Sequence, residues 1–392
     1  MKSILAAALL LALSLPAAAV DYGEIVLRLA GPDTQGRAVD TDLAAATDYL
    51  ESQLSGLGDV VHQKVQVDGV TSSNLILLRQ PAQEGAGWIV VGAHYDHLGL
   101  GVPGEPNEGK VHFGADDNAS GCAVLVGAAS MLLSGPPTDR GLAIVFFTGE
   151  ERGLLGSREF VASGPVAADE IQAMINIDTV GRLDVGEFSI FGVGTARVFS
   201  PALDGLNSVF DLPLQKIDPS SGASDDMAFV EAGIPAMHLF TGARPEYHRP
   251  GDTADLLDID GLELLAEFTV ELADYLASGE TAIDFVAPVA GSALADPERA
   301  TEQRRRVSLG SIPDFNFTGE GVRISGVLPG SPAAEAGLQE GDLIVAFAGV
   351  GVADLTDYSE AMKRCAPGDV VQVDFLREGK AMQVEVTLAE RR

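Results

Sequence analysis

The sequence predicts an α/β protein: a mostly parallel central sheet with helices on both faces, followed by a small β-rich unit. Three observations lead there. Short apolar runs at residues 88–93, 142–148, 173–177 and 236–240 alternate with segments of helical periodicity, the pattern of strand–helix–strand units. These runs are apolar at nearly every position, as strands covered on both faces require. After residue 276 the composition shifts to Ala, Pro and Gly and then to Arg304-Arg305-Arg306, a linker composition, and strand-like segments resume beyond residue 308.

Composition bounds the rest. The 392 residues, 46% hydrophobic and 21% charged, describe a globular chain with ample core. Net charge is −32 and the pI is near 4.3, which argues against nucleic acid or an anionic membrane as partner and favours cations. Residues 1–19 read as an export signal: Lys2, an apolar stretch at 4–15, then Ala17-Ala18-Ala19. A secreted or periplasmic location is therefore expected. The apolar stretch is too short to span a bilayer, and no later segment is long enough either. With only Cys122 and Cys365, no disulfide framework is expected.

Taken in order, 41–57 reads as a helix, with Asp42 as a possible cap and Leu43, Ala46, Leu50 and Leu54 at helical spacing. Strands are expected at 60–67, 74–78 and 88–93, the last ending on His94-Tyr95-Asp96-His97. The Gly- and Pro-rich segment 98–113 reads as a loop. Residues 122–133 are apolar almost all round and predict a buried helix. Strand 142–148 runs through Gly149 into Glu150-Glu151, and strand 173–177 ends on Asp178. Residues 152–162, 200–210, 224–232 and 259–276 read as helices, and 188–193 and 236–240 as strands. A loop with Tyr247-His248 precedes the last helix. Beyond the linker, strands are expected at 322–327, 343–348, 370–376 and 382–388, and a helix at 357–363.

A buried strand cannot hold adjacent charges, so Glu150 and Glu151 must lie just past its end, where Gly149 breaks the side-chain alternation. The same holds for His94 with Asp96, for Asp178 and, after a loop, for His248. In open α/β sheets ligands bind beyond the carboxyl ends of the strands, so these groups are placed to converge. Collected with Asp117, they form a donor set of imidazoles and carboxylates that suits zinc. Two His with three carboxylates can hold two ions if one carboxylate bridges, and the remaining Glu is then free to act as a base. Asp96, two residues from His94, can hydrogen-bond that ring.

The segments Gly92-Ala93-His94-Tyr95-Asp96-His97, Gly114-Ala115-Asp116-Asp117-Asn118-Ala119-Ser120-Gly121, Thr148-Gly149-Glu150-Glu151, Asn176-Ile177-Asp178 and Tyr247-His248 occur in an order that resembles the family-twenty-eight metallopeptidases, the di-zinc aminopeptidases. The resemblance covers roughly residues 40–278. It implies a zinc exopeptidase fold, two Zn ions and peptide substrates with free N-termini. His94 and Asp178 would hold one zinc, Glu151 and His248 the other, and Asp117 would bridge them. Glu150 would be the general base, and Tyr247 would donate a hydrogen bond to the developing oxyanion. The sequence departs from many relatives at Ser224-Asp225-Asp226, where they carry Ser-Asp-His.

The C-terminal unit resembles a PDZ domain of exported proteases through the run 327–338 and Gly341-Asp342. Leu309, Gly310, Ser311 and Ile312 would then form the loop that receives a C-terminal peptide ligand. The expected organisation is a signal at 1–19, a zinc peptidase domain at 20–278, a linker at 279–307 and a PDZ domain at 308–392. The function this implies is removal of N-terminal residues from peptides. Alternatives of the same fold are a single-zinc glutaminyl cyclase and a dipeptidase or carboxypeptidase. An alternative of another class is a catalytically idle peptide-binding protein.

Overall fold

The computed structural model describes residues 20–390, apart from 41–42, 102–106, 186, 219–223, 288–306, 315–316, 318, 329 and 354. The expected export signal, the Asp42 cap and most of the expected linker lie outside the described residues. The chain opens with helix α1 (Tyr22–Leu29), capped by the Asp21 carboxylate, which accepts the Glu24 N–H at 2.9 Å. Tyr22, Ile25, Val26 and Leu29 are its buried stripe. This helix adds to the expected elements, because two turns are too short for periodicity to stand out.

Helix α2 (Leu43–Leu54) leads into a hairpin of β1 (Val61–Val67) and β2 (Val70–Arg79). Then β3 (Trp88–His94), α3 (Gly121–Ser134), β4 (Gly141–Phe147), α4 (Leu155–Ser163) and β5 (Ile171–Ile177) alternate. They are followed by β6 (Phe188–Phe191), α5 (Phe199–Phe210), β7 (Leu214–Lys216), α6 (Asp226–Glu231), β8 (Ala236–Phe240) and the closing helix α7 (Ile259–Ala277). One eight-stranded sheet results, in the order β1-β2-β4-β3-β5-β8-β6-β7. Its four central strands, β4, β3, β5 and β8, are mutually parallel, while β1, β2 and β6 join antiparallel. The loop expected at 98–113 carries a small hairpin, Gly99–Leu100 against Val111–His112.

Alternation along the buried strands divides the core between two faces. Ile89, Val91 and Ala93 pack in the cluster that holds α1, α3 and α7; Trp88 and Val90 face Phe147, Phe160 and Phe229 on the other side. Those three rings meet at centroid distances of 6.0 to 6.2 Å. Each such buried side chain contributes about 1.5–3 kcal/mol. The parallel register also sets the site. His94 pairs with Phe147 and Gly92 with Asn176, so the residues just past β3, β4 and β5 leave the sheet side by side.

The expected domain end at residue 278 falls short. Ile283 is in the core, the Arg140 guanidinium bonds the Thr281 carbonyl at 2.7 Å, and the Val286 N–H bonds the Thr195 carbonyl at 2.8 Å. Composition did not show this, since backbone hydrogen bonds anchor the segment. The C-terminal unit has its own core, from Val307 and Leu309 to Val386 and Leu388. Its antiparallel sheet runs in the order β9 (Ser311–Pro313), β10 (Val322–Val327), β11 (Leu343–Phe347), β12 (Val370–Arg377) and β13 (Lys380–Thr387), so that β9 is an edge strand. Helix α8 (Leu355–Lys363) accompanies it, and the Ser311 hydroxyl lies 3.0 Å from that of Tyr358. Leu309 is fully buried, so the expected peptide loop can offer backbone there but not that side chain. The buried Asp342 takes two bonds from Arg377, each 2.7 Å.

Candidate active site

Each candidate residue is held by the turn that follows a strand. Gly149, at φ +70°, turns the chain out of β4; a Cβ there would meet Val67 at 2.8 Å. The turn is fixed by the Thr148 N–H on Asn74 Oδ1 at 3.0 Å and the Glu150 N–H on Asp96 Oδ1 at 3.1 Å. Asp117 sits in the turn before α3. There Asn118 Nδ2 donates to the Ile177 carbonyl at 3.0 Å, and its Oδ1 accepts the Thr179 N–H at 3.2 Å, tying that turn to the end of β5. Asp252 accepts the N–H groups of Asp116 and Asp117 at 2.8 and 3.1 Å, tying it to the His248 loop.

These supports bring the predicted residues together. His94 Nε2 lies 3.3 Å from Asp117 Oδ1 and 3.4 Å from Asp178 Oδ1. His248 Nε2 lies 2.9 Å from Asp117 Oδ2 and 3.4 Å from Glu151 Oε2. Two sets of donor atoms, His94/Asp117/Asp178 and His97/Asp117/Glu151, each fall within 4.8 Å of one another, and Asp117 belongs to both. Asp178 is steadied by Ser224 Oγ at 2.7 Å and Thr179 Oγ1 at 2.9 Å. Tyr247 stacks on the His248 ring, 4.0 Å between centroids and 15° between planes. The neighbouring Asp116 faces elsewhere, its Oδ1 accepting the Gly181 N–H at 2.7 Å.

The structure corrects one expectation and adds others. Asp96 does not hydrogen-bond the His94 ring through its carboxylate: Oδ1 is 3.9 Å from Nδ1, because it turns to the Glu150 N–H. The ring's neighbour is the Asp96 backbone carbonyl, at 3.2 Å. His97 is an addition, with Nδ1 at 2.8 Å from Glu151 Oε1, the oxygen that does not face His248. Its place in His94-Tyr95-Asp96-His97 was the available signal. Arg37 is another. Fully buried, it donates to the carbonyls of Leu29, Tyr95, Phe113 and Gly114 at 2.7 to 2.9 Å, and so pins the strands and turns that carry His94, His97 and Asp117. Arg37→Met should destabilise the fold by about 3–5 kcal/mol, as loss of a buried bonded charge with unsatisfied partners does. Urea denaturation checks this; a loss under about 1 kcal/mol would contradict it.

Electrostatics divide the acids into two kinds. Burial pushes Asp117, Asp178 and Glu151 upward, but the neighbouring imidazoles hold all three below the usual carboxylate range. Burial pulls His94 down, but Asp178, Glu150 and Asp117 hold it well above an ordinary imidazole. Glu150 goes the other way: burial, helped by Glu151, Asp225 and Asp178, raises it well above a normal Glu. Burial also lifts Asp96 to about 6, Asp225 to about 7 and Asp116 to about 8.

A sign follows for the metal-free protein. A carboxylate raised in the fold contributes stability that is fully present below its unfolded value, about 3.9, and is lost as pH rises through the folded one. For Asp96, Asp225 and Asp116 that loss extends through pH values of about 6, 7 and 8. The raised His94 acts in the same direction. The lowered acids act oppositely, but their gain is complete by about pH 5. With chelator present, the melting temperature should fall between pH 5 and 8; a flat or rising profile would contradict this.

The donor set fits a divalent cation. His94 Nε2, aimed at two carboxylates, is buried with no hydrogen bond of its own. Carboxylates packed this closely away from water need a cation to offset their mutual repulsion. Imidazole nitrogens with carboxylate oxygens are the ligands zinc takes.

An α/β sheet that gathers three imidazoles and three carboxylates at the ends of its parallel strands has the anatomy of a divalent-metal site. The defining sequence pattern of Peptidase family M28 matches residues 74–273, and that of a PDZ domain matches 299–388. The chain belongs to Peptidase family M28 and carries a PDZ domain after it. Leucine aminopeptidase 1 of Coccidioides posadasii (strain C735) is 27% identical over 212 residues, 49% of this chain and 53% of that protein. Leupeptin-inactivating enzyme 1 of Streptomyces exfoliatus is 29% identical over 203 residues, 51% of this chain and 43% of its own length. The chain thus spans about half the length of these curated relatives. Among solved structures, the LapA aminopeptidase of Legionella pneumophila superposes with a TM-score of 0.55 at 22% identity, covering 66% of this chain and 71% of that one. Glutaminyl cyclase of Porphyromonas gingivalis gives 0.55 at 22% identity, over 65% and 97%. Both likenesses concern the fold.

Proposed function

We propose that this chain is an exported two-zinc aminopeptidase. The observation that carries the reading is Asp117 lying between His94 with Asp178 on one side and His248 with Glu151 on the other, with the Glu150 charge acting on His94. His94, Asp117 and Asp178 would hold one ion, and Asp117, Glu151 and His248 the other, with His97 orienting Glu151. Bound there, the ions would acidify a water and polarise the scissile carbonyl. Glu150 takes the proton that water loses as its oxygen bonds the carbonyl carbon. It passes that proton to the leaving amine as the C–N bond breaks. Its raised proton affinity suits both steps. Tyr247, whose phenol burial and nearby carboxylates keep protonated, donates to the carbonyl oxygen as charge develops.

A panel of aminoacyl anilides, with and without zinc, tests the reading. Zinc-dependent release of the N-terminal residue is expected; pyroglutamate formation from N-terminal Gln in its place would favour a cyclase. For the PDZ unit we propose that a C-terminal peptide adds to the edge strand β9, with micromolar affinity (about 10⁻⁶ M) as such modest interfaces give.

A further inference from the structure

A cleft beside the centre is lined by Thr179, Arg182, Arg244 and Tyr247, among others. Thr179 follows Asp178 and Tyr247 precedes His248, so the cleft adjoins both halves of the donor set. Its two arginines have donors to spare. The Nε atoms of Arg182 and Arg244 are buried with no hydrogen-bond partner among the described residues, and the Arg182 charge acts on Asp116 across the cleft. Thr241, buried past the end of β8, anchors the Arg182 main chain and the Arg244 side chain: its Oγ1 accepts the Arg182 backbone N–H at 3.1 Å and its carbonyl accepts Arg244 Nη2 at 2.9 Å. Arg244 has Glu187 only at 4.0 Å.

The acids on the same wall are already engaged. Asp252 accepts two backbone N–H groups and Asp116 accepts the Gly181 N–H; Glu246 is the remaining acid on the rim. In a chain with 57 acidic and 25 basic residues, two under-used guanidiniums beside the centre stand against the general charge. Guanidinium forks match the planar, two-oxygen geometry of a carboxylate.

We propose that Arg182 and Arg244 form a subsite for a substrate carboxylate within one residue of the scissile bond. The assignment rests on the peptidase reading. Two sources share this chemistry: an acidic side chain on the N-terminal residue, or the free C-terminus of a dipeptide.

The test uses the full zinc-loaded chain. One arm compares α-glutamyl with glutaminyl anilide, the other Leu-Leu with Leu-Leu-amide. In one arm the carboxylate should raise kcat/KM about ten- to hundredfold over its amide, mainly through KM, as charge-assisted bonds allow. In R182Q and in R244Q that ratio should fall toward one; a merely structural role would lower both members alike. No carboxylate preference in either arm, or a preference that survives both substitutions, overturns the subsite. If nothing in the panel is hydrolysed, the peptidase reading fails separately. Calorimetry then decides the subsite by comparing L-glutamate with L-glutamine and Leu-Leu with its amide. Tighter carboxylate binding that disappears in R182Q or R244Q supports it, and equal binding in the wild type overturns it.

Discussion

Glu150→Gln lowers turnover by about 10²–10⁴-fold, the usual contribution of a general base, and leaves the bound metal unchanged. The side chain keeps its shape but can no longer carry a proton between water and leaving amine. Metal retention is expected because Glu150 belongs to neither donor set. The backbone N–H that anchors it on Asp96, at 3.1 Å, is untouched by the substitution, so the turn should hold. Loss in kcat, with KM and metal content near wild type, is the signature. A Gln variant that turns over at the wild-type rate would remove Glu150 from the mechanism.

Asp117→Asn should act on metal itself. Its Oδ1 faces His94 at 3.3 Å and its Oδ2 faces His248 at 2.9 Å, so one carboxylate serves both halves. An amide offers one oxygen and no charge. Both ions should therefore weaken together, each by at least the 10–100-fold typical of losing a supporting partner, and activity should be lost. Asp178→Asn, by contrast, should weaken one ion more than the other, since Asp178 belongs to one set. Equal and independent loss in the two variants would deny Asp117 its bridging place.

The parts of this molecule legible in the sequence are those set by local pattern. Continuous apolar strands ending on charged residues foretold both the parallel sheet and the placing of His94, Glu151 and Asp178 at the carboxyl ends of its central strands. What could not be read depends on partners far apart in the chain. Arg37 looks like one more surface arginine until its bonds to residues 95, 113 and 114 are known. Whether Asp96 meets a ring or a backbone amide depends on which direction the turn after Gly149 takes. The segment up to Val286 is linker by composition, yet its backbone is bound to Thr195. His97 was visible beside His94, but two histidines three residues apart do not show which carboxylate each will face.

The most direct test of the account is the number of zinc ions per chain, measured by titrating metal-free protein while following release of an N-terminal residue. Two donor sets joined at Asp117 predict two ions, with full activity only once both are bound. Saturation at one ion, with full activity there, would contradict it.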